Sequence, residues 1–310
     1  MAQDFKIARP LEYYKEFLKE NIRPDGRALD EYRKTIVNIN SIKTASGSGL
    51  VRIGNTIVVC GIKAELAEPS VEKTNEGYFG IILPNVDLPA LCSHEFRPGP
   101  PSDQAQAMSQ LVAETVENCK LINLKKLCIK EKKLCWVIYA DIICISHDGN
   151  LIDAIIASLY IALLNTKLPV VTINEETGSP EASPTEQFTL ELTTRLSSTT
   201  VELIDNDINF CIISAFTESK NFTAIDLIVL GEVGSRKPLF ENKYRKSEDV
   251  QKLLNVKPSL ATMRDTIFSI ESGCSVNEDS VRTCIKYAIH RAEELDSLIH
   301  EASECIDRSI

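Results

Sequence analysis

The sequence predicts an α+β domain of mixed α/β character. Three observations carry this. A buried strand, a tight turn and a buried helix follow one another in the middle of the chain. Strand-like runs lie on both sides of them, and a long amphipathic helix closes the sequence. Strands and helices that repeat in this way pack as sheets covered by helices around a shared core.

The central unit runs from Leu134 to Asn165. Its first part, Leu134 to Ile145, is almost continuously apolar and rich in β-formers, the pattern of a strand buried on both faces. Asp148-Gly149-Asn150 is turn chemistry, because Gly supplies φ > 0 and Asp and Asn tolerate tight turns. Leu151 to Asn165 is too long for one strand and carries Ala and Leu at helical spacing, so it predicts a buried helix. Asp153 interrupts its apolar run, which falls short of the ~18 residues a membrane span needs. The turn therefore lies at a strand end, where sites in α/β folds form.

The remaining elements follow in order. Pro10 to Ile22 predicts a short amphipathic helix, with Leu11, Tyr14, Phe17 and Leu18 on one face. Arg23-Pro24-Asp25-Gly26-Arg27 breaks it. Strands are predicted at Thr35–Ile42, Gly49–Ile53 and Thr56–Lys63, the last two joined by an Ile53-Gly54-Asn55-Thr56 hairpin. Gly49 and Gly54 have the spacing of a phosphate-binding P-loop, but Asn55 stands where that loop needs Lys and the flanks read as strands. Residues 66–104 are rich in Pro and Gly and read as surface loops or an irregular edge. A helix follows from Ser102, its cap, to Cys119, with Ala105, Met108, Val112, Val116 and Cys119 as its buried stripe.

Pro169 to Glu176 reads as a strand, then a polar loop reaches Thr185. Strand-like runs recur at Phe188–Thr193, Thr200–Leu203, Asn209–Ser214 and Ala224–Leu230, with one more at Thr266–Ile270. Residues 231–258 are charged and poorly periodic, the composition of an exposed insertion. From Val276 onward lies the long helix, with Cys284, Ile285, Leu295 and Ile299 among its apolar face.

Composition excludes several function classes. With 44% hydrophobic and 25% charged residues, the chain of 310 is an ordinary globular protein. Its net charge of −10 does not suit a protein that binds nucleic acid through its whole surface. Any RNA contact must be a local basic patch or be shared with partners. None of the ten cysteines has CxxC spacing and the four histidines do not cluster with them, which argues against zinc. Met1–Arg9 lacks the apolar segment of a signal peptide, so the cysteines point to a reducing compartment, and the sequon Asn221-Phe222-Thr223 has no expected role.

An ordered set of motifs carries more information. Arg23-Pro24-Asp25-Gly26-Arg27 comes first, then Gly47-Ser48-Gly49-Leu50-Val51-Arg52-Ile53-Gly54-Asn55-Thr56. Pro84-Asn85-Val86-Asp87-Leu88-Pro89, Gly99-Pro100-Pro101, Asp148-Gly149 and Val171-Thr172-Ile173-Asn174-Glu175-Glu176 follow. In this order they resemble the RNase PH family over about residues 10–230 and again at the C-terminal helix. Within it the chain is most similar to RNase PH-like ring subunits of the RNA exosome. The resemblance implies an RNase PH fold of the ribosomal protein S5 domain 2-like kind, with two βαβα-type halves and a ring-forming habit. Residues 1–22 would then be an N-terminal helical extension and residues 23–310 the RNase PH-like domain. Its halves would span about 23–125 and 126–310, with a divergent insertion at about 231–258.

Active members of this family degrade RNA from its 3′ end with inorganic phosphate as nucleophile. That chemistry needs cationic donors on the phosphate and carboxylates that can hold a divalent metal. Where active members continue the Asp-Gly turn with Gly-Thr-Arg, this chain has Asn150, Leu151 and Ile152, and neither Leu nor Ile can bind an anion. Where they carry arginines after Pro-Pro, it has Ser102-Asp103-Gln104. Counting back from Ile225-Asp226, the family's catalytic aspartates fall on Ser214 and Lys220, with Phe216 between them; Glu218 is the one carboxylate in Ile212–Asn221.

Loss of all three elements implies a subunit with no catalytic residues, no metal and no cofactor. The expected role is structural: to complete the hexameric ring with other RNase PH-like subunits, to support S1/KH cap proteins, and to line the RNA channel. The setting would be rRNA processing and mRNA turnover in nucleus, nucleolus and cytoplasm, with no membrane contact. Arg97, before Gly99-Pro100-Pro101, is the candidate RNA contact. His94, His147, Asp148 and the pair Glu175-Glu176 read as turn, surface or interface residues. The competing readings are an active phosphate-dependent 3′–5′ exoribonuclease, and a member of the fold used for a protein–protein task without RNA.

Overall fold

The computed structural model describes residues 8–9, 17, 20, 22–23, 25–28, 31–68, 80–118, 121–130, 133–173, 180–192, 196–204, 210–218 and 278–307. The strands are β1 (Thr35–Ile39), β2 (Gly47–Ile53), β3 (Thr56–Ala67), β4 (Ile81–Asp87), β5 (Cys128–Lys130), β6 (Leu134–Ser146), β7 (Lys167–Ile173), β8 (Pro180–Thr189), β9 (Leu196–Ile204) and β10 (Phe210–Glu218). The helices are α1 (Asp103–Asn118), α2 (Leu151–Leu164) and α3 (Glu278–Asp307), with a 3₁₀ turn at Leu124–Leu127.

The main sheet has the order β1-β2-β3-β6-β4, and β5 joins it through β6. Neighbours are antiparallel except β4, which runs parallel to β6. β7 pairs with β8, and β9 with β10. The β2–β3 turn is the hairpin read from the sequence: Ile53 pairs with Thr56, and Gly54 takes φ 62°. α2 lies across β2, β3 and β6 and also meets β9. α3 packs on β1, β9 and β10, and α1 on β4.

α2 is the centre of the core. Its thirteen residues from Leu151 to Leu163 are all buried, including Asp153 and Ser158. Gly47 and Gly49 let β2 approach it. A Cβ on Gly47 would stand 2.6 Å from the Ala162 carbonyl oxygen and closer still to the Thr166 hydroxyl, and one on Gly49 would stand 2.8 Å from Ser158 O. The Gly-Ser-Gly motif is thus a packing surface, since only a residue without a side chain fits under the helix.

Three expectations are corrected. Residues 66–104 hold the sheet edge that is one of their two readings, but it is a regular strand and not an irregular edge, because Ile81–Asp87 forms β4. Pro84 disguised it, but β4 is the edge of the sheet, where a missing N–H is tolerated. The central strand is not buried on both faces along its length. Cys135 to Ile138 are buried, but beyond them only the even positions Ala140, Ile142 and Cys144 are, while Asp141, Ile143 and Ile145 are exposed. Aliphatic residues on the open face hid the alternation. Finally, the polar stretch before Thr185 enters β8 from Pro180 onward.

The helix predicted at Pro10–Ile22 lies almost wholly outside the described residues. So do the strands at Ala224–Leu230 and Thr266–Ile270, the stretch 231–258, the sequon, Glu175-Glu176 and Cys119.

Candidate functional site

The turn between β6 and α2 is built by two consecutive left-handed residues. Gly149 has φ 76°, and Asn150 has φ 52° and ψ 54° at the helix N-cap. Gly is suited to this conformation and Asn tolerates it, which accounts for the Asp-Gly-Asn sequence. The Asn150 side chain makes no capping bond; its Nδ2 instead donates to Asp153 Oδ2 at 2.7 Å.

Residues from far up the chain fix this turn. Thr56, fully buried, donates its hydroxyl to Gly149 O at 2.8 Å and accepts from the Asp148 N–H at 3.1 Å. Asn55 Nδ2 donates to Asp148 Oδ2 at 3.1 Å, and Arg33 Nη1 to the Asp148 carbonyl oxygen at 2.6 Å. The β2–β3 hairpin and the segment before β1 therefore clamp the turn. Asp148 serves this clamp, in agreement with a turn-forming role.

The loop that carries Arg97 is tied to the same turn. The His147 N–H donates to Cys92 O at 3.0 Å, and its ring meets Phe96 edge-on with centroids 5.9 Å apart. Phe96 is buried while Arg97 is exposed, so the loop is anchored by one residue and presents the next to solvent. His94 is exposed. Two buried side-chain atoms at the turn, His147 Nδ1 and Asn150 Oδ1, have no hydrogen-bond partner.

The thiols beside the turn are shielded. Burial, with Cys92 nearby, pushes the Cys144 thiol up to about 12, and burial raises Cys92 as well. Cys144 Sγ contacts Ser146 O at 3.4 Å. These are packing groups, not nucleophiles.

The positions that the family resemblance singled out can now be placed. Leu151 and Ile152 are buried, 4% and 8% exposed, at the start of α2. Ser102 caps α1 through its Oγ, which accepts from Ala105 N at 3.2 Å, and Asp103 is exposed in the first turn. Ser214 lies in β10 opposite Thr200. Lys220 and Asp226 lie outside the described residues. The structure thus brings the Arg97 loop, the start of α2 and the β2–β3 hairpin together. Asn55 and Thr56 stand in a family motif and a hairpin turn of the sequence, but nothing local ties them or Arg33 to this cluster, because their partners are more than ninety residues away.

Among the described residues, no group of three or more His, Cys, Asp or Glu side chains could hold a metal. No described helix is long and apolar enough to cross a membrane.

Comparison with known proteins places this arrangement. The family model for the 3′ exoribonuclease family, domain 1 (RNase PH), matches residues 31–169. The exosome complex component rrp43 of Schizosaccharomyces pombe is 43% identical over 202 residues, which cover 65% of this chain and 74% of that protein. The chain belongs to the RNase PH family. Exosome complex component Rrp42 of Thermococcus kodakarensis is 42% identical over 166 residues, 54% of this chain and 60% of that one. An Archaeoglobus fulgidus exosome structure with RNA bound to the active site superposes with a TM-score of 0.66 over 93% of this chain and 96% of that one, at 24% identity. An archaeal exosome core gives 0.64 at 21% identity, over 97% of this chain and 100% of that one. These likenesses show that the fold is the RNase PH fold expected from the motifs.

Proposed function

We propose that this chain is a non-catalytic ring subunit of an RNA exosome core. It fills one place among RNase PH-like subunits, carries S1/KH cap proteins, and lines the channel that leads RNA to an associated nuclease. The observation that carries this reading is the start of α2. Where an active member of the family would hold phosphate, this chain packs Leu151 and Ile152 into its core. An aliphatic side chain offers no donor to an anion, and a buried one leaves it no room. Asp103 at the start of α1 adds a negative charge where a phosphate backbone would meet repulsion. Arg97, exposed on an anchored loop beside the turn, is the RNA contact we propose. In this reading the N-terminal 22 residues are an extension of the ring domain. The protein works in rRNA processing and mRNA turnover, in nucleus, nucleolus and cytoplasm.

The test is reconstitution. The purified chain is mixed with the other ring and cap subunits of its source, and the complex is isolated by size exclusion and assayed for phosphate-dependent release of nucleoside diphosphates from RNA. Incorporation without release attributable to this chain supports the scaffold role. Phosphate-dependent release that requires this chain, in a ring whose other subunits carry inactivating substitutions, would establish the alternative, an active phosphate-dependent 3′–5′ exoribonuclease. A chain that stays monomeric in the presence of every ring subunit would overturn the ring role.

A further inference from the structure

We infer that the segment from Leu121 to Leu134 is a second RNA-contacting surface, a platform of lysines that binds the phosphate backbone without regard to sequence. This rests on the reading of the chain as an RNA-handling ring subunit, but on residues far from the Asp148 turn. Residues 120–133 hold six lysines and one glutamate in a chain whose net charge is −10. Positive charge concentrated in an otherwise acidic chain is the local patch that an RNA contact here requires.

The described residues of the platform, 121–130 and 133–134, are held by hydrogen bonds and strand pairing. Asn123 caps the 3₁₀ turn: its side chain accepts from Lys125 N at 3.2 Å, and its carbonyl oxygen from Lys126 N at 3.0 Å. Gly80 N donates to Leu124 O at 3.0 Å, and Leu127 is buried at 1% exposure. β5 then pairs with the start of β6, placing Lys130 opposite Leu134, and Lys133 N donates to Lys130 O at 3.1 Å. Lys125, Lys126, Lys130 and Lys133 are all exposed on this frame. Lys126 ion-pairs with Glu191. A fixed backbone under the lysines reduces the ordering cost of binding.

The surface fits nucleic acid better than protein. Lysine is depleted in protein interfaces, whose centres favour aromatic residues, Met and Arg. No large apolar side chain among the described residues of this segment is exposed. Lysine ammonium groups instead act as point charges on phosphate and release counterions. The platform and the Asp148 turn stand at opposite ends of β6, whose thirteen residues span about 40 Å at ~3.3 Å each. RNA would therefore touch this subunit at two separate points.

The test uses the reconstituted complex with wild-type chain or with Lys125→Gln, Lys130→Gln and Lys133→Gln combined. Binding of a fluorescent single-stranded RNA is measured from 50 to 200 mM salt. Loss of three phosphate contacts makes the slope of log affinity against log salt shallower by about 2, and weakens binding roughly tenfold or more at low salt. The matching Lys→Arg variant keeps the charge and restores the slope. An assembled Gln variant with the wild-type slope overturns the inference. If wild-type chain forms no ring, the proposed function fails, and the same titration on the free full-length chain still decides the platform. Should the Gln variant not fold, acetylation of the wild-type complex decides instead. RNA must slow modification of Lys130 and Lys133; protection by the neighbouring subunits alone would mark a protein contact and overturn the inference.

Discussion

Phe96 meets His147 edge-on, with ring centroids 5.9 Å apart and planes inclined at 61°. Fifty residues of chain separate them, and the contact couples the Arg97 loop to the turn before α2. The His147 N–H bond to Cys92 O holds the other side of the same loop. Truncation should loosen this coupling in two graded steps. His147→Ala removes the aromatic pair, worth about 1 kcal/mol, and also removes the orphaned Nδ1. Phe96→Ala removes a buried ring and should cost about 3 kcal/mol by urea unfolding. In the assembled ring, RNA crosslinks near Arg97 should fall more for Phe96→Ala than for His147→Ala. Equal crosslinking in both variants and wild type would show that the loop needs no anchor.

The packing of β2 beneath α2 leaves no room for a methyl group. Gly47→Ala would push a Cβ to 2.6 Å from Ala162 O and closer to Thr166 Oγ1, which itself donates to Ala162 O at 2.7 Å. The helix must shift or β2 must leave it, at a cost of about 1–3 kcal/mol or more. Gly49→Ala should behave alike. By contrast, Gly61→Ala adds a Cβ 3.5 Å from Ile42 and should change the urea midpoint little. A Gly47→Ala protein as stable as wild type would mean that β2 and α2 are not in the contact described.

How far the sequence reveals this architecture depends on how local the determining forces are. Leu134–Ser146 and Leu151–Leu164 were legible because apolar runs and Asp-Gly-Asn are local signals. β4 was not, because Pro84 and Asn85 weaken a strand pattern that pairing with β6 restores. The open face of β6 was hidden because Ile143 and Ile145 are aliphatic although exposed. At the site, Leu151 and Ile152 could be identified as departures from the family motif, whereas Arg33, Asn55 and Thr56 could not. Arg291 was equally invisible. It sits 7% exposed in the apolar stripe of α3, donates to Thr35 Oγ1 and to Glu294 at 2.9 Å, and covers the Tyr32 ring at 4.8 Å. Only the tertiary fold supplies the partners that allow a guanidinium to be buried there.

Restoring the family residue at the start of α2 should not restore phosphorolysis. Ile152 is 8% exposed in the core cluster, so Ile152→Arg buries a guanidinium among aliphatic side chains. An uncompensated buried charge costs about 3 kcal/mol or more. The variant should unfold at lower urea, enter the ring less completely, and release no nucleoside diphosphate. Phosphate-dependent decay by an Ile152→Arg ring would show that this one residue had silenced the site.

The buried thiols set a pH dependence in the alkaline range. Burial holds Cys144 protonated up to about 12 and also raises Cys60, next to which Asp141 adds a smaller push. In the unfolded chain each thiol ionises near its ordinary value of about 8.5. Below that value both states carry the proton and the thiols leave stability unchanged. Above it the unfolded state loses protons that the folded state keeps, so stability falls as pH rises towards 12. The slope is at most ~1.4 kcal/mol per pH unit for each thiol. Lysines and tyrosines titrate in the same range, so the informative quantity is a difference. Thermal unfolding of wild type and Cys144→Ala at pH 8, 9.5 and 11 should show the variant losing less stability between the first point and the last. Parallel losses would place the Cys144 thiol in contact with water, contrary to its 1% exposure.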